Sequence, residues 1–280
     1  MNTAPDLRVG AVQMNAALGD LEDNADRHRH WIDEARRRHL DLLVFPELSL
    51  TGYALGPLAA GVACSPDSVL LMSLAAACGD MQVMVGFVES ASPGEIYNAV
   101  AVLQRGRVVA VHRKLNLPTY GGLEEGKWFH SGERLTLTEI NERWRAAPLI
   151  CADLWNPALV HAVMLRRPEI LCAPINSASQ IVAPGFSNED NWPLTLRFHA
   201  MTYGTPVIMT NRYGPEGEHH FWGGSRILGA RGETLAEAAP GESLIDAELS
   251  LEAIARARFE LPTLRDANTP LILELLKRTP

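Results

Sequence analysis

The chain contains 280 residues, of which 47% are hydrophobic and 21% charged, a balance typical of a globular protein that buries a full core. Its formal net charge of −8 excludes a global attraction to nucleic acid or to an anionic membrane surface. No apolar run approaches the roughly 20 residues that a membrane span needs, and the first residues lack the order of a signal peptide. We therefore predict a cytoplasmic protein whose partner is a small molecule, not nucleic acid or membrane.

The first half of the chain alternates strand and helix patterns. Residues 7–14 alternate like a strand, and a helix with one buried face is predicted from Leu21 to about His39. Residues 42–45 form a wholly apolar strand that Pro46 and Glu47 end. Further patterns predict a helix at 68–78, a strand at 83–88 and a hairpin of 96–103 with 108–112.

In the second half, a glycine-rich structured loop at 115–132 precedes a buried strand that ends at Cys151. Pro157 then begins a helix to about Arg166, since proline needs no N–H at that position. The remaining predicted elements are a strand at 170–173, a helix through 192–203, strands at 207–210, 225–228, 234–236 and 243–246, and a tail at 251–280. These alternating elements indicate an α/β layered protein, with residues 1–280 as a single domain.

Three reactive side chains occupy equivalent positions relative to predicted strands. Glu47, Lys114 and Cys151 each lie just past the carboxyl end of a predicted strand. In α/β sheets, ligands bind in the crevice outside those ends. Each residue alone has a structural explanation, as a cap, a basic strand end or a buried thiol, so the prediction of a site depends on their combination.

A thiolate attacks carbonyl or nitrile carbon if its pKa is held down and protons are moved nearby. Lys114 would lower the pKa of Cys151 and, together with the backbone N–H of Ala152, stabilise the oxyanion. Glu47 would take the thiol proton, return it to leaving ammonia and then activate water. The three residues therefore predict hydrolysis of a C–N bond.

Other site chemistries use residues that the chain also contains. A Cys-His mechanism stays open, because histidine is the commonest base for cysteine, and the candidates are His112, His130, His161 and His199. His219 and His220 do not share a strand or helix face and lack a suitably spaced third ligand, which argues against a metal site. The four cysteines form no CxxC pair, so we predict thiols rather than disulfides or zinc ligands.

Motif-like stretches cover nearly the whole chain. They are VGAVQM at 9–14, VFPELSLTGY at 44–53, HRKLNLP at 112–118, YGGLEE at 120–125, LICAD at 149–153, NRYG at 211–214, FWGGS at 221–225 and LPTLR at 261–265. The set resembles the nitrilase superfamily of carbon–nitrogen hydrolases. Within it, Cys151 to Trp155 is most similar to the glutamine-hydrolysing domain of NAD synthetases, although 280 residues leave no room for an ATP-using synthetase domain.

The resemblance implies a four-layer α-β-β-α sandwich with a catalytic triad at Glu47, Lys114 and Cys151. It also implies that Glu125 is a second glutamate, which holds the lysine or orients substrate. Neither a metal nor an organic cofactor is implied. Family members pair through outer helices, so we expect a homodimer or higher homo-oligomer, with the helix after Pro157 and the 251–280 tail at the interface.

Departures from the family pattern limit the substrate prediction. Lys127 replaces the usual loop arginine, and Thr202-Tyr203 stands where an acid followed by Asn is frequent. Ala152-Asp153 replaces the Trp-Glu of true nitrilases, which favours amide hydrolysis. We predict that the protein hydrolyses a small amide or N-carbamoyl compound through a thioester, releasing ammonia or an amine. The alternatives are a nitrilase, and a catalytically idle homologue that serves as a binding or assembly subunit.

Overall fold

The computed structural model describes residues 6–278, so the first five residues of the predicted domain and the last two of the predicted tail lie outside the described part. The strands in chain order are β1 Leu7–Gln13, β2 Leu42–Val44, β3 Gln82–Ser92, β4 Glu95–Gln104, β5 Arg107–Arg113, β6 Thr138–Asn141, β7 Trp144–Pro148, β8 Ile170–Ile175, β9 Val207–Asn211, β10 Tyr213–Glu216, β11 His219–Trp222, β12 Arg226–Leu228, β13 Thr234–Glu237 and β14 Ser243–Leu249.

The helices occupy the connections between strands and the end of the chain. They are α1 Leu21–Arg37, α2 Ala59–Val62, α3 Val69–Cys78, α4 Glu125–Trp128, α5 Pro157–Met164, α6 Asn188–Tyr203, α7 Leu251–Glu260 and α8 Thr269–Lys277, with 3-10 helices at Gly56–Leu58 and Cys151–Trp155. Two of the longer helices begin at capping side chains that accept a backbone N–H, Asp20 for α1 and Ser187 for α6.

Two six-stranded sheets form the centre of the described fold, in the orders β14-β1-β2-β3-β4-β5 and β13-β12-β9-β8-β7-β6. Strands β1, β2 and β3 are parallel, as are β7, β8 and β9. The outer strands pair antiparallel, so both sheets are mixed. Strands β10 and β11 form a separate hairpin.

Three apolar clusters define the layers. Helices α1 and α3 cover the outer face of the first sheet, through residues such as Ile32 and Leu74. The two sheets bury their inner faces against each other, with Val44 and Met84 on one side and Ile208 on the other. Helices α5 and α6 cover the second sheet. The predicted four-layer α-β-β-α sandwich is therefore what the structure shows.

The structure corrects several predicted elements. Strands β6, β10 and β11 were not predicted, and α4 lies inside the segment predicted as a loop. Within the predicted tail, α7 buries Ile254 and Ala257 in the cluster between the sheets. Helix α8, by contrast, has no buried residue. Between residues 6 and 278, no helix is both long enough and apolar enough to cross a membrane.

Candidate active site

Lys114 lies between two carboxylates at the centre of the candidate site. It follows β5 directly, and its Nζ donates to Glu47 Oε1 at 2.6 Å and to Glu125 Oε1 at 2.7 Å. All three side chains are almost completely buried. An ammonium has three N–H donors, so two are used by these carboxylates and one is left for a further acceptor. We call Glu47, Lys114 and Glu125 the carboxylate–lysine cluster.

The turn after β2 positions Glu47 at the junction of the two sheets. Asn176, which follows β8 of the second sheet, donates from Nδ2 to the backbone carbonyl of Glu47 at 2.5 Å. On the other side the turn lies directly against Gly86 of β3, where a Cβ atom would overlap the Leu48 nitrogen and the Pro46 carbonyl oxygen. Glycine at this position therefore permits the close approach that fixes Glu47.

The charges in this cluster set the protonation state of its members. Burial, opposed by Lys114 and reinforced by Glu125, raises the pKa of Glu47 from 4.5 to about 7. Burial on its own would lower the pKa of Lys114, but the two carboxylates outweigh it and raise that pKa well above its usual value. Near neutral pH, Lys114 is thus an ammonium, and Glu47 is present in both its ionised and its protonated form, so it can accept and return a proton.

Cys151 begins the 3-10 helix that follows β7, close to the strand exit that the sequence predicts. Its φ of +45° lies in the left-handed region, which is uncommon for a residue with a side chain and is often found at functional sites. The backbone of Asn176 lies near the Cys151 sulfur and has a small lowering effect on its pKa. Ala152 lies in the first turn of this helix, where backbone N–H groups have no intrahelical acceptor.

The expected thiolate at Cys151 is wrong for the resting protein. Burial, with Glu47 and Glu125 adding to it, raises the pKa of this thiol well above its usual value, and the opposing effect of Lys114 is smaller. The lowering effect of Lys114 on this pKa is limited because its ammonium is shared by two carboxylates. The carboxylate–lysine cluster as a whole therefore does not favour another negative charge at Cys151. Cys151 therefore rests as a thiol and has to lose its proton when it reacts.

Asp153 ties the cysteine segment to the lysine segment. Its Oδ1 accepts the backbone N–H groups of Leu115 at 3.0 Å and Asn116 at 2.7 Å, and its Oδ2 accepts that of Ile150 at 2.9 Å. The carboxylate is completely buried. Because one side chain holds the residues that flank both Lys114 and Cys151, it fixes the two segments relative to each other.

Three residues near the cluster were not predicted to serve it. Asn98 of β4 donates from Nδ2 to Glu47 Oε1 at 2.7 Å, and the Tyr53 hydroxyl donates to Glu125 Oε1 at 2.7 Å. Asn176 is the third. An amide inside an otherwise apolar strand was the available signal for Asn98, but sequence alone does not say which partner such an amide has.

A small cavity of about 30 Å³ opens at Cys151, with room for one or two water molecules. Cys151 and Ala152 lie in its wall together with mainly aromatic and aliphatic side chains, among them Tyr53, Leu123, Trp155, Ile181 and Trp192.

The alternative site chemistries find no support in the described residues. None of His112, His130, His161 and His199 lines the Cys151 cavity; His199 Nε2, for example, lies 3.0 Å from the backbone oxygen of Leu154. No group of three or more His, Cys, Asp or Glu side chains within 6–278 is arranged to hold a metal ion. The four cysteines are free.

Comparison with known proteins adds family relationships to this geometry. A model of the carbon-nitrogen hydrolase family matches residues 8–259. The glutamine-dependent NAD(+) synthetase of Thermotoga maritima is 32% identical over 233 residues, which cover 82% of this chain and 39% of the synthetase. The chain thus spans about two fifths of that relative's length.

Solved structures share the fold. The carbon-nitrogen hydrolase from Helicobacter pylori G27 superposes with a TM-score of 0.83 at 26% identity, covering 99% of this chain and 100% of that one. A variant amidase from Nesterenkonia sp. AN1, with the acetamide moiety of fluoroacetamide added covalently at its active-site cysteine, gives a TM-score of 0.80 at 23% identity over 96% of each chain. These superpositions confirm the predicted fold class.

Proposed function

The chain belongs to the carbon-nitrogen hydrolase family, as its motifs predicted, and we propose that it hydrolyses a small amide or N-carbamoyl compound through a thioester on Cys151. The observation that carries this proposal is the carboxylate–lysine cluster beside the Cys151 cavity. The cluster provides Glu47, a proton acceptor with a pKa of about 7, and Lys114, a cation with an unused N–H. The cavity provides the thiol of Cys151. Those are the groups that acyl transfer from nitrogen to water requires.

In the acylation step, Glu47 accepts the thiol proton as the Cys151 sulfur attacks the carbonyl carbon. The third N–H of Lys114 and the backbone N–H of Ala152 donate to the oxyanion that forms. Glu47 then returns the proton to the leaving nitrogen as the C–N bond breaks. The products of this step are ammonia or an amine and a thioester on Cys151.

In the deacylation step, Glu47 takes a proton from water, and the resulting hydroxide attacks the thioester carbonyl. The same two donors stabilise the second oxyanion. When the C–S bond breaks, the sulfur regains its proton from Glu47 and the carboxylic acid leaves. Glu125 keeps Lys114 in place throughout, because it accepts one of the ammonium hydrogens and is itself fixed by Tyr53.

The nucleophilic role of the cysteine has support from a protein of the same fold. In the Nesterenkonia amidase variant, a fragment of fluoroacetamide is attached to the active-site cysteine. Cys151 is the cysteine that lies in a cavity wall beside an ammonium and a proton acceptor, whereas Cys78 and Cys172 are buried in apolar clusters.

Ammonia release from a panel of simple amides, N-carbamoyl amines and nitriles tests the proposal. We expect release from at least one amide or carbamoyl compound by the wild-type protein and by Cys64→Ala, a partly exposed cysteine outside the cavity, and none by Cys151→Ala. Acid formation from nitriles without amide hydrolysis would indicate a nitrilase. No turnover of any compound would leave the idle binding subunit as the explanation.

We also propose that two copies associate through the outer face of α6. Leu194, Phe198 and Met201 are spaced along one face of this helix and are 67%, 52% and 47% exposed. A monomer rarely leaves such a row uncovered. Helix α6 packs on the second sheet, whose strand β7 precedes Cys151. Association through α6 would therefore also stabilise the segment that connects β8 to this helix.

A further inference from the structure

The wall of the Cys151 cavity is uncharged. Apart from the carboxylate–lysine cluster behind it, the described side chains that line the cavity include no Arg, Lys, Asp, Glu or His. Its surface is built from the indoles of Trp155 and Trp192, whose ring centroids lie 4.8 Å apart, and from Leu123, Ile181 and Val182. A substrate group against this wall would meet mainly apolar surface and no charged side chain.

Most polar groups in the wall are already engaged within the protein, and the exception is Asn176 Oδ1, an uncharged buried acceptor without a hydrogen-bond partner. Asn188 Nδ2 donates to the backbone oxygen of Ala178 at 2.7 Å, and Ser177 Oγ accepts the indole N–H of Trp222 at 3.1 Å. The Tyr53 hydroxyl donates to Glu125. These groups hold the wall together, so a substrate carboxylate would have to displace one of their bonds to gain a donor, and an ammonium would find one uncharged acceptor but no counter-ion.

The formal charge behind the wall is also unfavourable for an anion. Glu47 and Glu125 share the one ammonium of Lys114, which gives the carboxylate–lysine cluster a net charge of −1 when both carboxylates are ionised. A substrate carboxylate would therefore be desolvated without a counter-ion and next to a negative cluster. Burying an unpaired ion costs several kcal/mol, which corresponds to a loss of more than a hundredfold.

Two loops limit the length of the acyl group. The backbone N–H of Gly122 donates to the carbonyl of Ile181 at 2.9 Å, which joins the segment after Pro118 to the segment after β8. Gly121, at φ +60°, lies so close to the Ile181 and Val182 carbonyls that a Cβ atom there would overlap both. These contacts hold Ile181 and Val182 in place in the wall of the cavity.

We propose that the acyl group of the substrate is short and uncharged, and that Ile181 and Val182 determine this specificity. The proposal rests on the proposed function, whose reacting groups it uses. It also separates this chain from the relatives named for glutamine, because glutamine carries a carboxylate and an ammonium for which the wall provides no counter-ion.

Pairs of amides of equal shape and different charge test the specificity. For the wild-type protein, kcat/KM for 3-methylbutanamide should exceed that for malonamate, its carboxylate isostere, by about a hundredfold or more. Propionamide should likewise be preferred over glycinamide, its ammonium isostere, and L-glutamine should be hydrolysed no faster than malonamate. Equal rates within either pair, or efficient hydrolysis of glutamine, would overturn the proposal while the proposed function stood.

A lysine in the wall should change the preference. Val182→Lys places a cation at a half-buried lining position, where it should raise the malonamate to 3-methylbutanamide ratio about tenfold. Ala183→Lys, on the exposed neighbouring residue outside the lining, is the matched control and should leave the ratio unchanged. An unchanged ratio in a Val182→Lys protein with wild-type Tm would remove Val182 from the specificity wall. Absence of Cys151-dependent release from every amide would instead reject the proposed function.

Discussion

Replacement of Glu47 by glutamine changes a buried titratable group while keeping its shape. In the native protein this carboxyl has a pKa of about 7, against an ordinary value of 4.5, mainly because of burial. Between those pH values the native state retains a proton that the unfolded chain has released, so stability falls as pH rises. At about 1.4 kcal/mol for each pH unit, the loss between pH 4.5 and 7 is about 3 kcal/mol.

Chemical denaturation of the wild-type protein and Glu47→Gln at several pH values measures this effect. Because groups remote from Glu47 titrate alike in both proteins, the difference between their free energies of unfolding reports on Glu47 and the residues that it contacts. We expect Glu47→Gln to gain about 3 kcal/mol relative to the wild type between pH 4.5 and 7.5. Glu124→Gln, on an exposed carboxylate of the neighbouring loop, should show no such change. If the free energy of unfolding varied with pH in the same way for Glu47→Gln and wild type, the pKa of Glu47 would not be raised in the native protein.

The same carboxyl governs the pH dependence of turnover. Glu47 must be ionised to accept the thiol proton, so kcat/KM of the wild type should rise with pH with a midpoint near 7. Glu47→Gln should lose about 10² to 10⁴-fold in kcat/KM and also lose this acid limb. An unchanged limb in the variant would assign the proton acceptor to another group.

Three further changes test other parts of the site and the interface. Lys114→Met should lower kcat/KM at least a hundredfold and, by leaving two buried carboxylates unpaired, reduce the free energy of unfolding by about 3–5 kcal/mol in denaturant titrations. Gly86→Ala should displace the turn at Leu48 and abolish amide turnover measured as ammonia release, whereas Gly61→Ala, where a Cβ meets open space, should leave it unchanged. Phe198→Glu should convert a dimer into a monomer in light scattering, and an unaltered mass would place the interface elsewhere.

The sequence predicted the site best where it combined local patterns with a general rule about sheets. Apolar runs marked the strands before Glu47 and Lys114, and the convergence of strand ends then brought those residues together. The sequence did not predict strands β10 and β11, because a stretch that contains Gly, Pro and two histidines lacks the alternation of apolar and polar residues that marks a strand. Strand β6 is a short edge strand with polar residues at alternate positions, which also reads as a loop.

The protonation state of Cys151 could not be predicted from residue types. A neighbouring lysine suggested a thiolate, but the effect of an ammonium depends on how many carboxylates it already serves. In the structure Lys114 contacts two, and burial of Cys151 then dominates. The roles of Asn98, Asn176 and Asp153 likewise depend on contacts between distant segments, which no local pattern encodes.

The covalent intermediate on Cys151 is the most direct test of the proposed chemistry. Wild-type protein is mixed with an amide that it hydrolyses, and the reaction is quenched in acid within milliseconds. Mass spectrometry of the peptides should then show the acyl group attached to the peptide that contains Cys151. One equivalent of ammonia should appear with it. An acyl group on another residue, or continued ammonia release by Cys151→Ala, would contradict the assignment of Cys151 as the nucleophile.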